Sequence, residues 1–377
     1  MNKKILSALI AFTLLVPVSA KAAGLKNQSV LTPTVAILDT GIDMTLPIFK
    51  DRVIQEVCIL DWSTCPNGSS FMEGPGSATL TPKVLSVAGW EHGTQMASIF
   101  LKSNPNANII FIKIIGNTPD GLRQSSFEST VFNALNWVAA NNLKYNIKAV
   151  TMSQGHHNLG AAGTNYCPTS STTVNSIKNL ISLGIPTFFP AGNGRDYSRI
   201  DWPSCLDDSI SVGVTDKQGD ISTISNSDPL KIDFFALGAF DGITSAGGVL
   251  KNVLGSSAST QVAAAQWMIL QSANTTSSYS TLFKLLADSA VKTTGRQGTF
   301  NKLINLSLVP IAIPEPGPTA TELAAQKAAA DAAAKLALKI EVDKAIATAQ
   351  LEYDTVVKAA ADKLSAYKIS QLARLNG

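Results

Sequence analysis

Short apolar runs alternate along most of the chain with segments whose apolar residues recur at helical spacing. The run 34–38 is apolar and β-branched, and it stops at the turn-forming Asp39-Thr40-Gly41, as a buried strand does. Helical spacing of apolar residues then begins at His92 and continues to Phe100. Buried strands that alternate with helices predict an α/β fold, with a mainly parallel central sheet covered by helices on both faces.

The same alternation continues through one predicted globular domain, residues 25–312. Its later strands and helices are predicted from apolar runs and from helical periodicity, respectively. The strands are 109–115, 149–152, 186–189 and 210–214, and the helices are 127–140, 174–183 and 261–271, the last beginning near Ser257.

A Pro-rich linker at 313–319 separates this domain from an Ala-rich C-terminal extension. The segment Pro314-Glu315-Pro316-Gly317-Pro318 excludes helix. Residues 320–377 are rich in strong helix formers and predict a helical, coiled-coil-like region. Either this helix packs on its own domain, or it self-associates or binds a protein partner. Its heptad-like apolar positions are Ile346, Tyr353, Val357, Ala360, Leu364 and Tyr367.

The N-terminus has the pattern of a secretory signal peptide, predicted at 1–22. Lys3 and Lys4 precede an apolar run from Ile5 to Val18, which is followed by small residues. The run is too short to favour a membrane-spanning helix. We therefore expect a secreted protein, extracellular or periplasmic, with no membrane segment in its mature form.

Composition and cysteine spacing narrow the classes further. The 377 residues carry a formal net charge of +3 without a basic block, so no nucleic-acid partner is expected. An even number of cysteines in an oxidising compartment favours disulfides. Of the three possible pairings we prefer Cys58–Cys65 with Cys167–Cys205, because the first two are close in sequence. The cysteine and histidine spacings predict no metal site.

Four polar residues stand where predicted strands end or predicted helices begin. Asp39 ends a strand, at the rim where open α/β sheets place their sites. His92 opens a helix and is one of only three histidines. Ser257 precedes a helix, whose free amides favour a developing negative charge, and Asn193 follows a strand. Taken singly, each has a structural alternative: a turn Asp, a satisfied His, a capping Ser and an Asn-Gly turn.

In their order along the chain, five segments resemble the successive signature blocks of subtilisin-like serine peptidases, the subtilases. The resemblance covers roughly residues 31–275, and the order Asp, His, Ser is the family's own. The segments are Asp39-Thr40-Gly41-Ile42-Asp43, His92-Gly93-Thr94, Val150-Thr151-Met152-Ser153-Gln154-Gly155, Ala191-Gly192-Asn193 and Gly255-Ser256-Ser257.

The resemblance implies a role for each matching residue. Ser257 would be the nucleophile, His92 the general base and then acid, and Asp39 the group that orients His92. The Asn193 side chain and the Ser257 amide would form the oxyanion hole. Substrate binding would fall to Ser153, Gln154, Gly155, Ala191 and Gly192.

These roles imply a secreted serine endopeptidase that cleaves polypeptide substrates through an acyl-enzyme and needs no cofactor for its chemistry. The alternative is a catalytically silent binding module that assembles through its C-terminal helix. An esterase is a weaker interpretation, since the chain lacks a Gly-x-Ser-x-Gly elbow. Similar peptidases often bind structural calcium, but no acidic loop here has the ligand spacing.

Three departures from the family pattern bear on this expectation. Gln261 stands where the family usually has Pro, four residues after Ser257, so the first turn of that helix is expected to differ. His156 stands where a second Gly is frequent, and it is expected to narrow or polarise the substrate pocket. Only a short stretch separates the predicted signal cleavage site from Asp39, so we expect no N-terminal propeptide like that of many secreted relatives. Either the domain folds unaided, or the C-terminal helical region or another protein takes that role.

Overall fold

The computed structural model describes residues 32–305 except 82, 83, 85, 86, 118–126, 158–166, 168–170 and 297. It also describes 346, 350, 354–355, 357–359, 361–366 and 368–371. Contacts divide the chain into two units, residues 1–313 and 314–377. The predicted signal peptide, 1–22, and the Pro-rich linker, 313–319, lie outside the described residues.

Within the described residues, the first unit is built on a ten-stranded sheet in the order β11-β12-β8-β7-β6-β5-β1-β4-β2-β3. Its eight inner strands pair in parallel, and the outermost strand at each edge pairs antiparallel. The strands are β1 (Thr34–Asp39), β2 (Val53–Ile59), β3 (Phe71–Glu73), β4 (Asn108–Lys113), β5 (Ile147–Met152), β6 (Thr187–Pro190), β7 (Ile210–Thr215), β8 (Phe234–Leu237), β11 (Val291–Gly295) and β12 (Gly298–Leu303).

A separate antiparallel hairpin and five helices complete this unit as described. The hairpin consists of β9 (Ala239–Thr244) and β10 (Leu250–Leu254). Short 3₁₀ turns lie at Pro47–Phe49 and Ala246–Gly248. The α-helices are α1 (His92–Ser103), α2 (Glu128–Tyr145), α3 (Ser171–Ser182), α4 (Ser256–Ala273) and α5 (Tyr279–Asp288).

The strand β1 places the candidate site. It lies between β4 and β5, where the strand order changes direction, and all six of its residues are buried. Val35 and Ile37 pack into the core on one face, whereas Ala36 and Leu38 pack into the core on the other. Successive side chains of a strand point to opposite faces, so a strand buried on both sides is apolar throughout. Its carboxyl end, Asp39, lies where open α/β sheets bind ligands.

The predicted fold class is confirmed: a mainly parallel sheet lies between two helical layers. One core includes residues of α1, α4 and α5, and the other includes residues of α2 and α3. The predicted first helix begins at His92, as in the structure. The strands β2, β3 and β8 to β12 were not predicted.

Two disulfides lie in this unit. Cys58 pairs with Cys65, and Cys167 pairs with Cys205. These are the two pairs that the sequence favoured.

In the C-terminal unit, the described positions are helical. Its large apolar side chains at Ile346, Val357, Leu364 and Ile369 are exposed. The predicted self-association or partner binding of this helix stays a prediction. Across the described residues, no helix is long and apolar enough to cross a membrane.

Candidate active site

Asp39 and His92 form a closely hydrogen-bonded pair at the carboxyl edge of the sheet. Asp39 is fully buried at the end of β1, and His92 is the first residue of α1. His92 Nδ1 lies 2.8 Å from Asp39 Oδ1 and 3.0 Å from Oδ2. We assign the imidazole hydrogen to Nδ1, because a carboxylate accepts there, and this leaves Nε2 as a proton acceptor.

Thr40 joins the end of β1 to the start of α1. Its amide donates to Asp39 Oδ1 at 2.7 Å, and its hydroxyl donates to the Trp90 carbonyl at 3.0 Å. The same hydroxyl accepts from the amide of Gly93 at 3.0 Å. A Cβ on Gly93 would lie 2.4 Å from the carbonyl oxygen of Gly41, so this close approach requires glycine.

Gln154, predicted as a substrate-binding residue, points its side chain at this pair. The residue is buried and follows Ser153 after the end of β5. Its Nε2 lies 2.9 Å from Asp39 Oδ1 and 3.0 Å from His92 Nδ1. The amide therefore contacts both members of the carboxylate–imidazole pair.

Ser257 lies in the first turn of α4 and is tied to Ser153 by two reciprocal hydrogen bonds. Its Oγ donates to the Ser153 carbonyl at 3.2 Å, and Ser153 Oγ donates to the Ser257 carbonyl at 2.9 Å. Within the described part of the chain, no hydrogen bond joins Ser257 Oγ to His92. Because Gln154 touches His92 and the adjacent Ser153 touches Ser257, the hydroxyl and the imidazole both adjoin the dipeptide 153–154.

Gln261 supports Ser153 from the second turn of α4. It is fully buried, and its Nε2 donates to Ser153 Oγ at 2.9 Å. Its Oε1 accepts from the hydroxyl of Thr151 at 3.1 Å. The helix continues without interruption from Ser256 to Ala273 through this position. A proline there could not make these side-chain bonds.

Asn193 is held beside the start of α4. The amide of Ser256 donates to Asn193 Oδ1 at 2.9 Å. A backbone N–H needs an acceptor, so the carboxamide oxygen faces Ser256 and its NH₂ group is directed elsewhere. Asn193 is exposed, and the amide of Ser257 donates to none of the described residues. Both groups can donate to an anionic oxygen next to Ser257.

The predicted pocket walls converge on Asp201 and Trp202. A Cβ on Gly192, whose φ is +105°, would lie 2.3 Å from Asp201 Oδ2, and one on Gly155 would lie 2.6 Å from the Trp202 carbonyl. The amide of Asp201 donates to the carbonyl of Ala191 at 2.8 Å. The segment 201–202 therefore links the wall at 191–192 to the wall at 155.

His156, which the sequence singled out as a departure, lies against this segment. His156 and Trp202 exchange backbone hydrogen bonds of 3.1 Å and 3.2 Å. Their rings stack with centroids 4.9 Å apart. The exposed imidazole therefore rests on the buried indole.

Asp201 was missed by sequence reasoning. Its Oδ1 lies 2.9 Å from His157 Nδ1 and accepts from Asn226 Nδ2 at 2.9 Å. Burial raises the pKa of Asp201, and the hydrogen bond from His157 opposes that rise. Nothing in its local sequence, a single Asp before Trp-Pro, signals a place next to the predicted oxyanion loop.

Among the described residues, no group of three or more His, Cys, Asp or Glu side chains could hold a metal ion. The question of structural calcium, raised by the resemblance, stays open.

A model of the subtilase family of peptidases matches residues 32–305. The chain belongs to the subtilase family. The match spans the whole sheet, from β1 to β12.

Relatives of this subtilase share its fold at low identity. It is 23% identical over 231 residues to the major intracellular serine protease of Bacillus subtilis (strain 168), a match that covers 58% of this chain and 60% of the relative. A cold-adapted subtilisin-like serine proteinase matches with a TM-score of 0.54 at 22% identity, covering 75% of this chain and 90% of that structure. A protease from Pseudoalteromonas arctica PAMC 21717 matches with a TM-score of 0.56 at 16% identity, covering 74% and 89%.

The site of this subtilase brings together several kinds of polar group that acyl transfer uses. Among the described residues, these are a hydroxyl at a helix start, an imidazole whose Nε2 makes no hydrogen bond, a buried carboxylate, and N–H groups of Asn193 and Ser257. One dipeptide, Ser153-Gln154, forms hydrogen bonds both to Ser257, through Ser153, and to Asp39, through Gln154.

Proposed function

We propose that this subtilase is a secreted serine endopeptidase that hydrolyses peptide bonds through an acyl-enzyme intermediate. The observation that carries the proposal is the 2.8 Å contact between His92 Nδ1 and Asp39 Oδ1, next to a dipeptide that also holds Ser257. A carboxylate that fixes the tautomer of an imidazole beside a serine is the arrangement that activates a hydroxyl.

In the first half-reaction, Ser257 Oγ attacks the scissile carbonyl carbon while His92 Nε2 takes the hydroxyl proton. The present hydrogen bond from Ser257 Oγ to the Ser153 carbonyl must break, and the Ser257 side chain must turn to bring Oγ within hydrogen-bonding distance of His92 Nε2. Asn193 Nδ2 and the Ser257 amide stabilise the oxyanion. Collapse of the tetrahedral intermediate breaks the C–N bond, and His92 gives its proton to the leaving amine.

In the second half-reaction, water attacks the ester carbonyl of the acylated Ser257. His92 Nε2 takes a proton from the water, and the same two donors hold the oxyanion. The ester bond breaks, Ser257 recovers its proton from His92, and the new carboxylate product departs. Asp39 accepts the hydrogen bond from Nδ1 and stabilises the imidazolium in each half-reaction.

We expect an extended polypeptide as the substrate. The segment Ser153 to Gly155 follows β5 at the carboxyl edge, where its backbone would pair with an added strand. Main-chain pairing gives affinity with little dependence on sequence. The residue before the cleaved bond would lie between Gly155 and the Ala191-Gly192 wall, above Asp201.

Export is supported by the N-terminal pattern of Lys3, Lys4 and the apolar run to Val18, and by the two disulfides. The Bacillus relative is named as intracellular, so the location needs its own test. N-terminal sequencing of protein recovered from the periplasm and the medium should give a start close to residue 23. A cytoplasmic protein that retains Met1 would contradict export.

The test of the activity is hydrolysis of a reduced, alkylated polypeptide, with the fragments measured by mass spectrometry. Ser257→Ala should lower the rate about 10⁶-fold, the order known for the serine of subtilisin, because the attacking oxygen is removed. Ser272→Ala, in the last turn of α4, is the matched control and should keep the wild-type rate. A folded wild type that binds peptide without cleaving it would support the binding-module alternative.

A further inference from the structure

The Asp39 carboxylate has more hydrogen-bond partners than His92, the one partner that the family resemblance assigned to it. Its Oδ1 is approached by the Thr40 amide at 2.7 Å, His92 Nδ1 at 2.8 Å and Gln154 Nε2 at 2.9 Å. Its Oδ2 is approached by His92 Nδ1 at 3.0 Å. A buried carboxylate needs several donors, because leaving its lone pairs unsatisfied away from water is costly.

The chemistry of the pair fixes which end of the Gln154 amide faces Asp39. An amide oxygen 2.9 Å from a carboxylate oxygen would place two acceptors in contact, whereas an N–H there makes a charge-assisted hydrogen bond. The Gln154 NH₂ group therefore donates to Asp39 Oδ1. Held by three donors, this oxygen cannot rotate away from His92 without breaking several bonds at once.

The same amide also influences which tautomer His92 adopts. Gln154 Nε2 lies 3.0 Å from His92 Nδ1, and it could donate there only if Nδ1 carried no hydrogen. That tautomer would place a lone pair against the carboxylate and would put the hydrogen on Nε2, where it blocks proton acceptance. With the Gln154 amide donating to Asp39 Oδ1, the Nδ1–H of His92 is the donor that the described residues provide for Asp39 Oδ2.

We propose that Gln154 is a positioning residue, which clamps the Asp39 carboxylate by hydrogen bonding and thereby holds His92 in the tautomer that accepts the serine proton. This inference rests on the proposed peptidase function for its kinetic consequence, but not for its structural one. It assigns the Gln154 side chain to the catalytic pair rather than to the substrate.

The neighbouring contacts link this clamp to the nucleophile. Gln154 follows Ser153, which exchanges two hydrogen bonds with Ser257 and is itself held by Gln261. One dipeptide therefore fixes both ends of the candidate triad. Among the described residues, the ionisable side chains within hydrogen-bonding distance of the Gln154 amide are Asp39, which accepts from it, and His92, whose Nδ1 lies 3.0 Å away.

The structural readout is NMR of the folded protein with ¹⁵N-labelled histidine. The chain has three histidines, so His92 can be assigned by comparison with His156→Gln and His157→Gln. In its neutral form, wild-type His92 should show hydrogen on Nδ1 alone. Gln154→Leu should shift its ¹⁵N resonances toward a mixture of tautomers. A wild-type His92 with hydrogen on Nε2, or a Gln154→Leu spectrum identical to wild type, would overturn the proposal.

The kinetic readout is kcat and KM for a peptide substrate. Losing one charge-assisted hydrogen bond to the pair should lower kcat about 10- to 100-fold in Gln154→Leu, with KM unchanged. Gln154→Glu should lower kcat further than Gln154→Leu does, because a second carboxylate then faces Asp39. A rise in KM alone would overturn the proposal and return Gln154 to the substrate groove.

Gln95→Leu is the matched control. Gln95 is a buried amide on α1 that donates to Ser245 Oγ at 3.1 Å, and among the described residues its side chain makes no hydrogen bond to Asp39 or His92. Gln95→Leu should lower the stability of the protein while leaving the His92 resonances and kcat unchanged. If Gln95→Leu and Gln154→Leu change the His92 resonances and kcat alike, the Gln154 result reflects a general packing defect, and the proposal is overturned. If wild type has no peptidase activity, the proposed function fails, and the NMR result still decides the role of Gln154.

Discussion

Lys113 ends β4 beside Asp39, its partner on β1, yet its ammonium group lies over the ring of Trp90, 4.9 Å from the ring centroid. Among the described residues it forms no ion pair with Asp39 or any other acid. Burial lowers the pKa of Lys113 to about 8. The folded protein therefore holds a poorly solvated cation next to its candidate site at neutral pH.

Lys113→Met should stabilise the protein at pH 7 and much less at pH 10. Below pH 8 both the folded and the unfolded chain carry this proton, and the folded state bears the full cost of the buried charge. As pH rises from 8 toward 10.5, the folded state loses the proton first, so the cost disappears. The expected gain in the free energy of unfolding at pH 7 is about 1–3 kcal/mol, with the Trp90 contact offsetting part of the cost.

Urea unfolding at the two pH values measures this difference. Lys50→Met, at an exposed lysine, is the control and should show no such pH dependence. A gain of equal size at pH 7 and pH 10 would show that packing of the methionine, rather than removal of the charge, is responsible.

Asn193→Ala should lower kcat about 10²–10³-fold with little change in KM, because in the proposed mechanism the carboxamide donates to an oxygen that becomes negative only in the transition state. Steady-state kinetics on a peptide substrate give both constants. Asn252→Ala, an asparagine on the β9–β10 hairpin, is the control. A raised KM at unchanged kcat would mean that Asn193 binds the ground state of the substrate instead.

The two disulfides should contribute unequally to stability. Their cysteines are separated by 7 residues for Cys58–Cys65 and by 38 for Cys167–Cys205. A disulfide that closes a longer loop restricts the unfolded chain more. Replacing both cysteines of the second pair by Ser should therefore lower the free energy of unfolding by about 4 kcal/mol, and the same change in the first pair should lower it by about 2 kcal/mol. Urea unfolding of the two double variants provides the comparison, and the reverse order would contradict this entropic account.

Five buried strands, β1 and β4 to β7, were predicted from the sequence because burial on both faces leaves a continuous apolar run, whereas β8, which is also largely buried, was missed. β4 is an example, predicted at 109–115 and found at Asn108–Lys113. The hairpin β9–β10 was missed for the opposite reason. Leu250, Lys251 and Asn252 of β10 are exposed, and a two-stranded sheet facing solvent has no apolar pattern that separates it from a loop.

Site residues could be predicted from the sequence only where they stand at the end of a strand or the start of a helix. Asp39 at a strand end and Ser257 at a helix start could be singled out from local pattern, although their catalytic roles stay predictions. The side chains that hold them depend on contacts far along the chain. Gln154 reaches Asp39 across 115 residues and Gln261 reaches Ser153 across 108, and no local pattern encodes such contacts.

Intact-mass measurement before and after treatment with a fluorophosphonate tests the central claim most directly, because this reagent phosphonylates only an activated serine. Peptide mapping locates the adduct. The account predicts one adduct on Ser257 in the wild type and none in a folded His92→Ala variant, where no imidazole accepts the hydroxyl proton. An unmodified, folded wild type, or an adduct that persists on Ser257 without His92, would contradict it.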